Sequence, residues 1–400
     1  MTSTTSQQMR AWRGLGLFTY GFRPFFLGAA IWAGLAMALW VSMMTGAVRL
    51  PTAFDPVSWH AHQLIFGYLI AVVAGFLMTA VPNWTGRLPI VGWPLAGLFA
   101  LWLLGRVAVA VSAGLPAVAV AVLDLAFGMV FTMVIAREII AGRNWRNLVV
   151  LAMLGALIVA NAVFHWEAAT GISAAQGFGA RLGIGSGIMM IAVIGGRIVP
   201  SFTRNWLVKR GAQRLPALPM QLFDKLALGV LLAALLAWLS APHGPIAAVA
   251  LLLAGVLHLI RLARWCGYRT AAEPLLLILH VGYAFVPLGA LAMGAALLRP
   301  DLILPSSAQH LWMIGAIGVM TLAVMTRATL GHTDQPLTAG AGTVALYLLV
   351  ILAALARFVA GLLPAEAAVL QSLSGLAWIA AMGGFAVIYG RLLLLSKVRD

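Results

Sequence analysis

Cysteine is all but missing from this chain, and carboxylates are scarce. The single cysteine, Cys266, excludes an intramolecular disulfide and withholds the thiolates that iron–sulfur clusters and thiolate zinc sites need. Charged residues make up 9% of the 400 positions, with 25 Lys and Arg against 10 Asp and Glu. So few charges cannot cover a water-facing surface when 63% of the chain is hydrophobic and the mean hydropathy is +1.02. An integral membrane protein is therefore expected. The formal charge of +15 does not indicate nucleic acid, because the basic residues recur at short intervals between apolar runs rather than on one soluble module. The polar stretch Met1 to Trp12 leads into a full-length apolar span, so no cleavable signal peptide is expected.

What the chain has in abundance is apolar runs of about 20 residues, the length needed to cross a bilayer. Twelve are delimited, at 23–45, 58–82, 89–111, 116–137, 147–166, 177–199, 221–240, 245–264, 274–297, 308–329, 339–362 and 367–393. The fold class is all-α, a single polytopic domain over residues 1–400, with a basic loop at about 200–220 between spans 6 and 7. Placing the N-terminus inside puts twenty Lys and Arg at inner ends and five, namely Arg49, Arg106, Arg181, Arg299 and Arg357, at outer ends. Basic residues concentrate on the cytoplasmic side, so both termini are expected inside and the 200–220 loop in the cytoplasm.

Polar residues within such spans need a reason. Asp55-Pro56 reads as the N-cap and first residue of span 2, which puts His60 and His62 in its first turns. At about 100° per residue the two point about 200° apart, so in a regular helix they serve neighbouring sites rather than one ion. With His310 at the outer end of span 10 they form a candidate outer metal cluster, imidazole being the commonest transition-metal ligand among side chains. The face of His60 continues as Gly67, Ala71, Ala74, Gly75 and Met78. Such a stripe either lets a helix approach closely or leaves room for a flat macrocycle. His280, the most deeply placed histidine, is a candidate haem or metal ligand, with His332 as a partner on the inner side. His165, His243 and His258 read as interfacial residues. Asp124 in span 4 and Arg106 in span 3 are expected to form a buried ion pair; Glu167 with Arg181, and Arg357 with Glu366, are similar pairs across outer turns. Arg197, Arg204 and Arg327 lie beside hydroxyl residues at the inner interface, where planar guanidinium forks suit haem propionates or lipid phosphate; plain topological anchoring is the alternative. Met313 offers copper(I) a thioether, or simply packs.

Long ordered motifs carry a resemblance. Tyr20-Gly-Phe-Arg-Pro-Phe-Phe26, Trp59-His-Ala-His62, Gly75-Phe-Leu-Met-Thr-Ala-Val-Pro-Asn-Trp-Thr-Gly-Arg87, Gly195-Gly-Arg-Ile-Val-Pro-Ser-Phe-Thr-Arg-Asn-Trp206 and Arg327-Ala-Thr-Leu-Gly-His-Thr333 closely resemble the NnrS family over nearly the whole chain. The resemblance implies a bacterial inner-membrane protein carrying haem b and copper and associated with nitric oxide, nitrosative stress and denitrification. One departure stands out: the family motif often reads His-x-His-Glu, whereas Gln63 follows His62. An amide can orient an imidazole but cannot titrate.

The expected protein thus holds haem at His60, His280 or His310, with Arg197, Arg204 and Arg327 toward its propionates, and metal among His60, His62, His310, His280 and His332. Its ligand is nitric oxide or a related small molecule in a lipid bilayer, with quinol or another electron donor as a further partner. If it is an enzyme, it is an oxidoreductase acting on nitric oxide. The rival reading is a twelve-span secondary transporter, for which Gly183-Ile-Gly-Ser-Gly187 is the one candidate helix break. A quinol-linked oxidase subunit would need a proton route from the inner face, which Asp124 alone does not make.

Overall fold

The computed structural model describes residues 12, 14–87 and 89–395, and these are all-helical. Twelve helices are long and apolar enough to cross a membrane: α1 (Phe22–Met44), α2 (Pro56–Thr85), α3 (Trp93–Ala110), α4 (Ala117–Ala141), α5 (Trp145–Ala169), α6 (Phe178–Lys209), α7 (Leu222–Ser240), α8 (Pro245–Ala263), α9 (Pro274–Leu298), α10 (Pro305–His332), α11 (Ala341–Val359) and α12 (Pro364–Leu394). The chain is a multi-pass membrane protein.

Local chemistry sets the ends. Asp55 Oδ1 accepts from Val57 N at 3.0 Å and Ser58 N at 2.9 Å, and Pro56 opens α2 where its missing N–H is harmless. Gln221 and Asp224 cap α7 reciprocally, and Gly86 closes α2 in the left-handed conformation at φ 69°. Helix α6 runs ten residues past 199, through Pro200, so the connection to α7 is 210–221 rather than the whole of 200–220. A proline normally collides with the carbonyl four residues back. Here that carbonyl belongs to Gly196, whose ψ of −9° turns it aside.

Three helices contain π-turns: Gln63–Leu69 in α2, Ile191–Gly195 in α6 and Leu311–Val319 in α10. Such widened turns gather at functional sites. Two of them offer a carbonyl to a buried side-chain donor, Gly67 O to Trp102 Nε1 at 3.0 Å and Ala192 O to Arg261 Nη1 at 2.9 Å.

The helices form two compact units. Unit 1 comprises residues 1–186, 328–335 and 382–400; unit 2 comprises 187–327 and 336–381. In unit 1, Phe22 and Phe26 of α1 fill the space beside Gly75 of α2, where an added Cβ would lie 2.7 Å from the Phe26 ring. Gly67 likewise makes room for the Arg106 guanidinium and the Trp32 indole. The small-residue stripe on α2 is therefore a helix-packing surface. Gly183 packs against Ile65 and Phe66 inside a continuous helix, so the Gly183–Gly187 stretch is not a break.

At the start of α6, Glu167 accepts from Phe178 N at 2.6 Å and Gly179 N at 3.1 Å, and Arg181 donates to Gln176 O at 2.6 Å. The expected Glu167–Arg181 pair makes no direct hydrogen bond: Glu167 still attracts Arg181 but caps α6, which presents unpaired N–H groups to the carboxylate. Arg357 donates to Ser307 Oγ at 3.1 Å instead of meeting Glu366. A Cβ on Gly179 would sit 2.6 Å from Phe164 N and 2.8 Å from Ala160 O, and main chain cannot swing away. Gly179→Ala is expected to destabilise the protein by about 1–3 kcal/mol, measured as earlier unfolding in mixed detergent–SDS micelles.

Candidate metal centre

Four helices of unit 1 converge on one buried carboxylate. Asp124 of α4 places Oδ2 3.1 Å from His62 Nε2 of α2 and 3.0 Å from His165 Nε2 of α5. Its other oxygen, Oδ1, accepts from Nη2 of Arg106 on α3, the ion pair expected from sequence. Asn161, one turn before His165, donates Nδ2 to Asp124 Oδ2 at 2.8 Å and brings Oδ1 to 3.0 Å from His62 Nε2. All five side chains are buried, His62 completely. Among the described residues, His62, Asp124 and His165 are the group whose ligand atoms all lie within 4.8 Å.

The neighbours explain how an ion pair survives there. Arg106 Nη1 donates to Gln63 Oε1 at 2.8 Å, and Trp32 Nε1 donates to the same oxygen at 3.2 Å. Gln63 thus performs as a neutral acceptor what a glutamate would perform as an anion. Arg106 and Asp124 form an ion pair of no net charge, and both imidazoles turn Nε2 toward the carboxylate. Gln63→Glu keeps both acceptor contacts and adds one negative charge. It is expected to raise divalent-ion affinity by about tenfold or more relative to a monovalent ion, measured by competitive metal titration.

The centre can take a small ion. Two atoms each about 2.0–2.1 Å from a tetrahedral ion stand about 3.3 Å apart, close to the separations observed. His62 Nδ1 has no hydrogen-bond partner among the described residues. It is the atom to which the ring proton moves when Nε2 takes a metal. A pocket of about 60 Å³ opens beside His165, lined by Ala53, Phe54, Ser112, Leu115, Ala117, Val120, Ala168 and Ala169. The turns around 45–55 and 111–116 close on one another there, through Ala113 N to Pro51 O at 3.0 Å and Ala53 N to Ser112 Oγ at 2.8 Å. The Phe54 ring, which also lines the pocket, lies 5.5 Å from His62 and 5.7 Å from His165.

The other residues singled out from sequence lie elsewhere. His60, partly buried, stacks on Trp40 at 4.3 Å, diverging from His62 as a regular first turn requires. His332 is exposed beside the rings of Tyr20 and Phe22. In unit 2, His310 donates Nδ1–H to Ser306 O at 2.6 Å. His280 Nε2 meets Thr203 Oγ1 at 2.8 Å, and its Nδ1 abuts Gly267, where a Cβ would be 2.6 Å away. Arg327 lies over the Phe202 ring at 4.3 Å, and Arg197 and Arg204 are partly buried. Sequence reasoning read His165 as interfacial, noted Gln63 without placing it at Arg106, and passed over Asn161. The signal available was the i, i+4 spacing of Asn161 and His165, which stacks an amide and an imidazole on one helix face.

Unit 2 has its own buried cluster. Arg261 donates Nε to Asp224 Oδ1 at 2.8 Å and Nη1 to Tyr283 Oη at 2.7 Å. His258 Nδ1 lies 2.9 Å from that hydroxyl, and its Nε2 3.1 Å from Ala227 O. The exposed pair Arg299–Asp301 is the opposite case: two hydrogen bonds from the guanidinium hold the Asp301 carboxyl below its usual range, in a turn where water screens the charges.

Twelve apolar helices and, in unit 1, a buried imidazole–carboxylate centre define a polytopic membrane protein with a candidate metal site. The chain belongs to the NnrS family: the family model described as NnrS protein matches residues 16–397. No curated protein matches the sequence.

Proposed function

We propose that this is a metal-binding protein of the bacterial inner membrane that handles nitric oxide, with copper held by His62, Asp124 and His165. The observation that carries the reading is the buried convergence of two imidazole nitrogens and a carboxylate oxygen beside a pocket. Two nitrogens and one oxygen suit copper, iron or zinc. Charge separates them. With Arg106 already neutralising Asp124, a divalent ion leaves two uncompensated charges in a low-dielectric interior and a monovalent ion leaves one. That favours copper(I), in agreement with what the family resemblance implies. Copper held here would supply an open coordination position for a diatomic ligand.

The surrounding residues supply access and orientation. A pocket of about 60 Å³ lined by four alanines has room for a diatomic gas. Phe54 packs against both imidazoles. Arg106 and Asn161 hold the Asp124 carboxylate in place, and Gln63 holds Arg106. The basic-residue count puts the 45–55, 111–116 and 170–177 turns on the outer face, so the ligand would enter from there.

Haem b does not fit at this centre, since pockets for organic ligands run from about 300 to 1,000 Å³. Nor does it fit His280, whose ring nitrogens face Thr203 and Gly267. A haem would be held at His60 or His310, the partly exposed histidines at span mouths. His310 has the fitting tautomer, because its Nδ1–H is committed to Ser306 O and the lone pair falls on Nε2.

The test is anaerobic titration of detergent-purified, copper(I)-loaded protein with nitric oxide, followed by the N–O stretch in the infrared. One nitric oxide per copper, lost in His165→Ala, supports the reading. Folded protein that retains no copper after loading, or binds nitric oxide equally well in His165→Ala, overturns it and leaves a transporter as the better account.

A further inference from the structure

The buried cluster of unit 2 has the arrangement of a proton-coupled redox residue, and nothing in the proposed copper site requires it. His258 Nε2–H donates to the Ala227 carbonyl at 3.1 Å, which makes Nδ1 the acceptor nitrogen. Tyr283, 2.9 Å from Nδ1, therefore donates its phenolic hydrogen there. Arg261 donates to the same oxygen from the other side at 2.7 Å, and Asp224 offsets the guanidinium charge. The Trp265 indole stands 4.4 Å from the Tyr283 ring at 61°, and 6.5 Å from the His280 ring. Tyr283 and Arg261 are fully enclosed, and His258 and Trp265 are each 1% exposed. An oxidisable phenol, an imidazole placed to take its proton and a second oxidisable ring in contact are thus sealed from water.

We infer that Tyr283 is a one-electron redox residue of this protein, with His258 as its proton acceptor and Trp265 as the neighbouring ring that shares the electron hole. One electron passes from Tyr283 to an oxidised transition-metal complex, and the phenolic proton moves to His258 Nδ1. The products are a neutral tyrosyl radical, a His258 imidazolium and the metal complex reduced by one electron. Return of one electron to the ring and of the proton from His258 restores the phenol. The proton shift avoids a phenol radical cation, which an interior of low dielectric disfavours. Arg261 adds a positive charge near the imidazolium, so the phenol yields its electron only to a strong oxidant.

The experiment is photo-oxidation of the full-length protein in detergent with a ruthenium polypyridyl complex and a sacrificial electron acceptor, read by electron paramagnetic resonance. Wild-type protein is expected to give an organic radical whose spectrum narrows when it is grown on ring-deuterated tyrosine. The tyrosine signal is expected to disappear in Tyr283→Phe and persist in Tyr347→Phe. His258→Gln is expected to form the radical at least tenfold more slowly. Isotope labelling acts on the wild-type chain, so the absence of a tyrosine radical there overturns the inference even if Tyr283→Phe does not fold. A wild-type spectrum unaffected by tyrosine deuteration, or a tyrosine signal undiminished in folded Tyr283→Phe, overturns the inference. The oxidant is external, so this outcome is independent of whether copper binds in unit 1.

Discussion

Replacing Asp124 by Ala is expected to destabilise the protein by about 3–5 kcal/mol, the range for removing one partner of a buried ion pair. The guanidinium of Arg106 is 2% exposed and would keep only the Gln63 oxygen as a strong partner. His62, His165 and Asn161 would lose their common acceptor at the same time, leaving three donors without the oxygen they share. Within the bilayer, water cannot replace it. Removing the pair together has the opposite sign of consequence. Arg106→Leu with Asp124→Leu deletes both charges, and apolar replacements of a buried pair are often neutral or better. The double variant is therefore expected to be more stable than either single variant, with a coupling of at least about 2 kcal/mol in a double-mutant cycle followed by unfolding in mixed micelles. Additive effects would show that the two groups do not act as a pair.

The second large effect concerns metal rather than stability. His62→Ala removes one of the three proposed ligands yet leaves Asp124 bonded to Arg106, His165 and Asn161. The fold is expected to persist while copper affinity falls by at least about 100-fold, more than the 10–100-fold typical of losing an outer-shell partner. Equilibrium dialysis against a copper(I) chelator reads this directly. His60→Ala serves as the contrast. Its ring stacks on Trp40 rather than on the carboxylate, so copper retention at the Asp124 centre is expected to be unchanged. Loss of copper in His60→Ala with retention in His62→Ala would move the site to the other face of α2.

These two predictions rest on features that differ in how well the sequence announced them. Spans came through because burial in a bilayer demands long apolar runs whatever the tertiary packing, and Asp55-Pro56 marked the start of α2 by cap chemistry that acts within one turn. The Arg106–Asp124 pair was legible because a six-residue turn forces its two helices to be adjacent in depth. Pairing of α2 and α5 with that hairpin was not. His62 and His165 lie 103 positions apart, and no local rule says that the His62 face of α2 turns toward Asn161. A histidine at a span end looks interfacial until its neighbour is known to carry a carboxylate. The extension of α6 through Pro200 was hidden for a different reason. Proline usually ends a helix, and the compensating ψ of Gly196 is a property of the folded backbone.

The measurement that bears most directly on the central claim is X-ray absorption at the copper edge of purified protein, wild type against the double variant His62→Ala, His165→Ala. The account predicts a first shell of nitrogen and oxygen, outer-shell scattering from two imidazoles and no sulfur in the wild type, with copper absent from the double variant. Sulfur ligands in the wild type, or undiminished copper with an unchanged spectrum in the double variant, would contradict it.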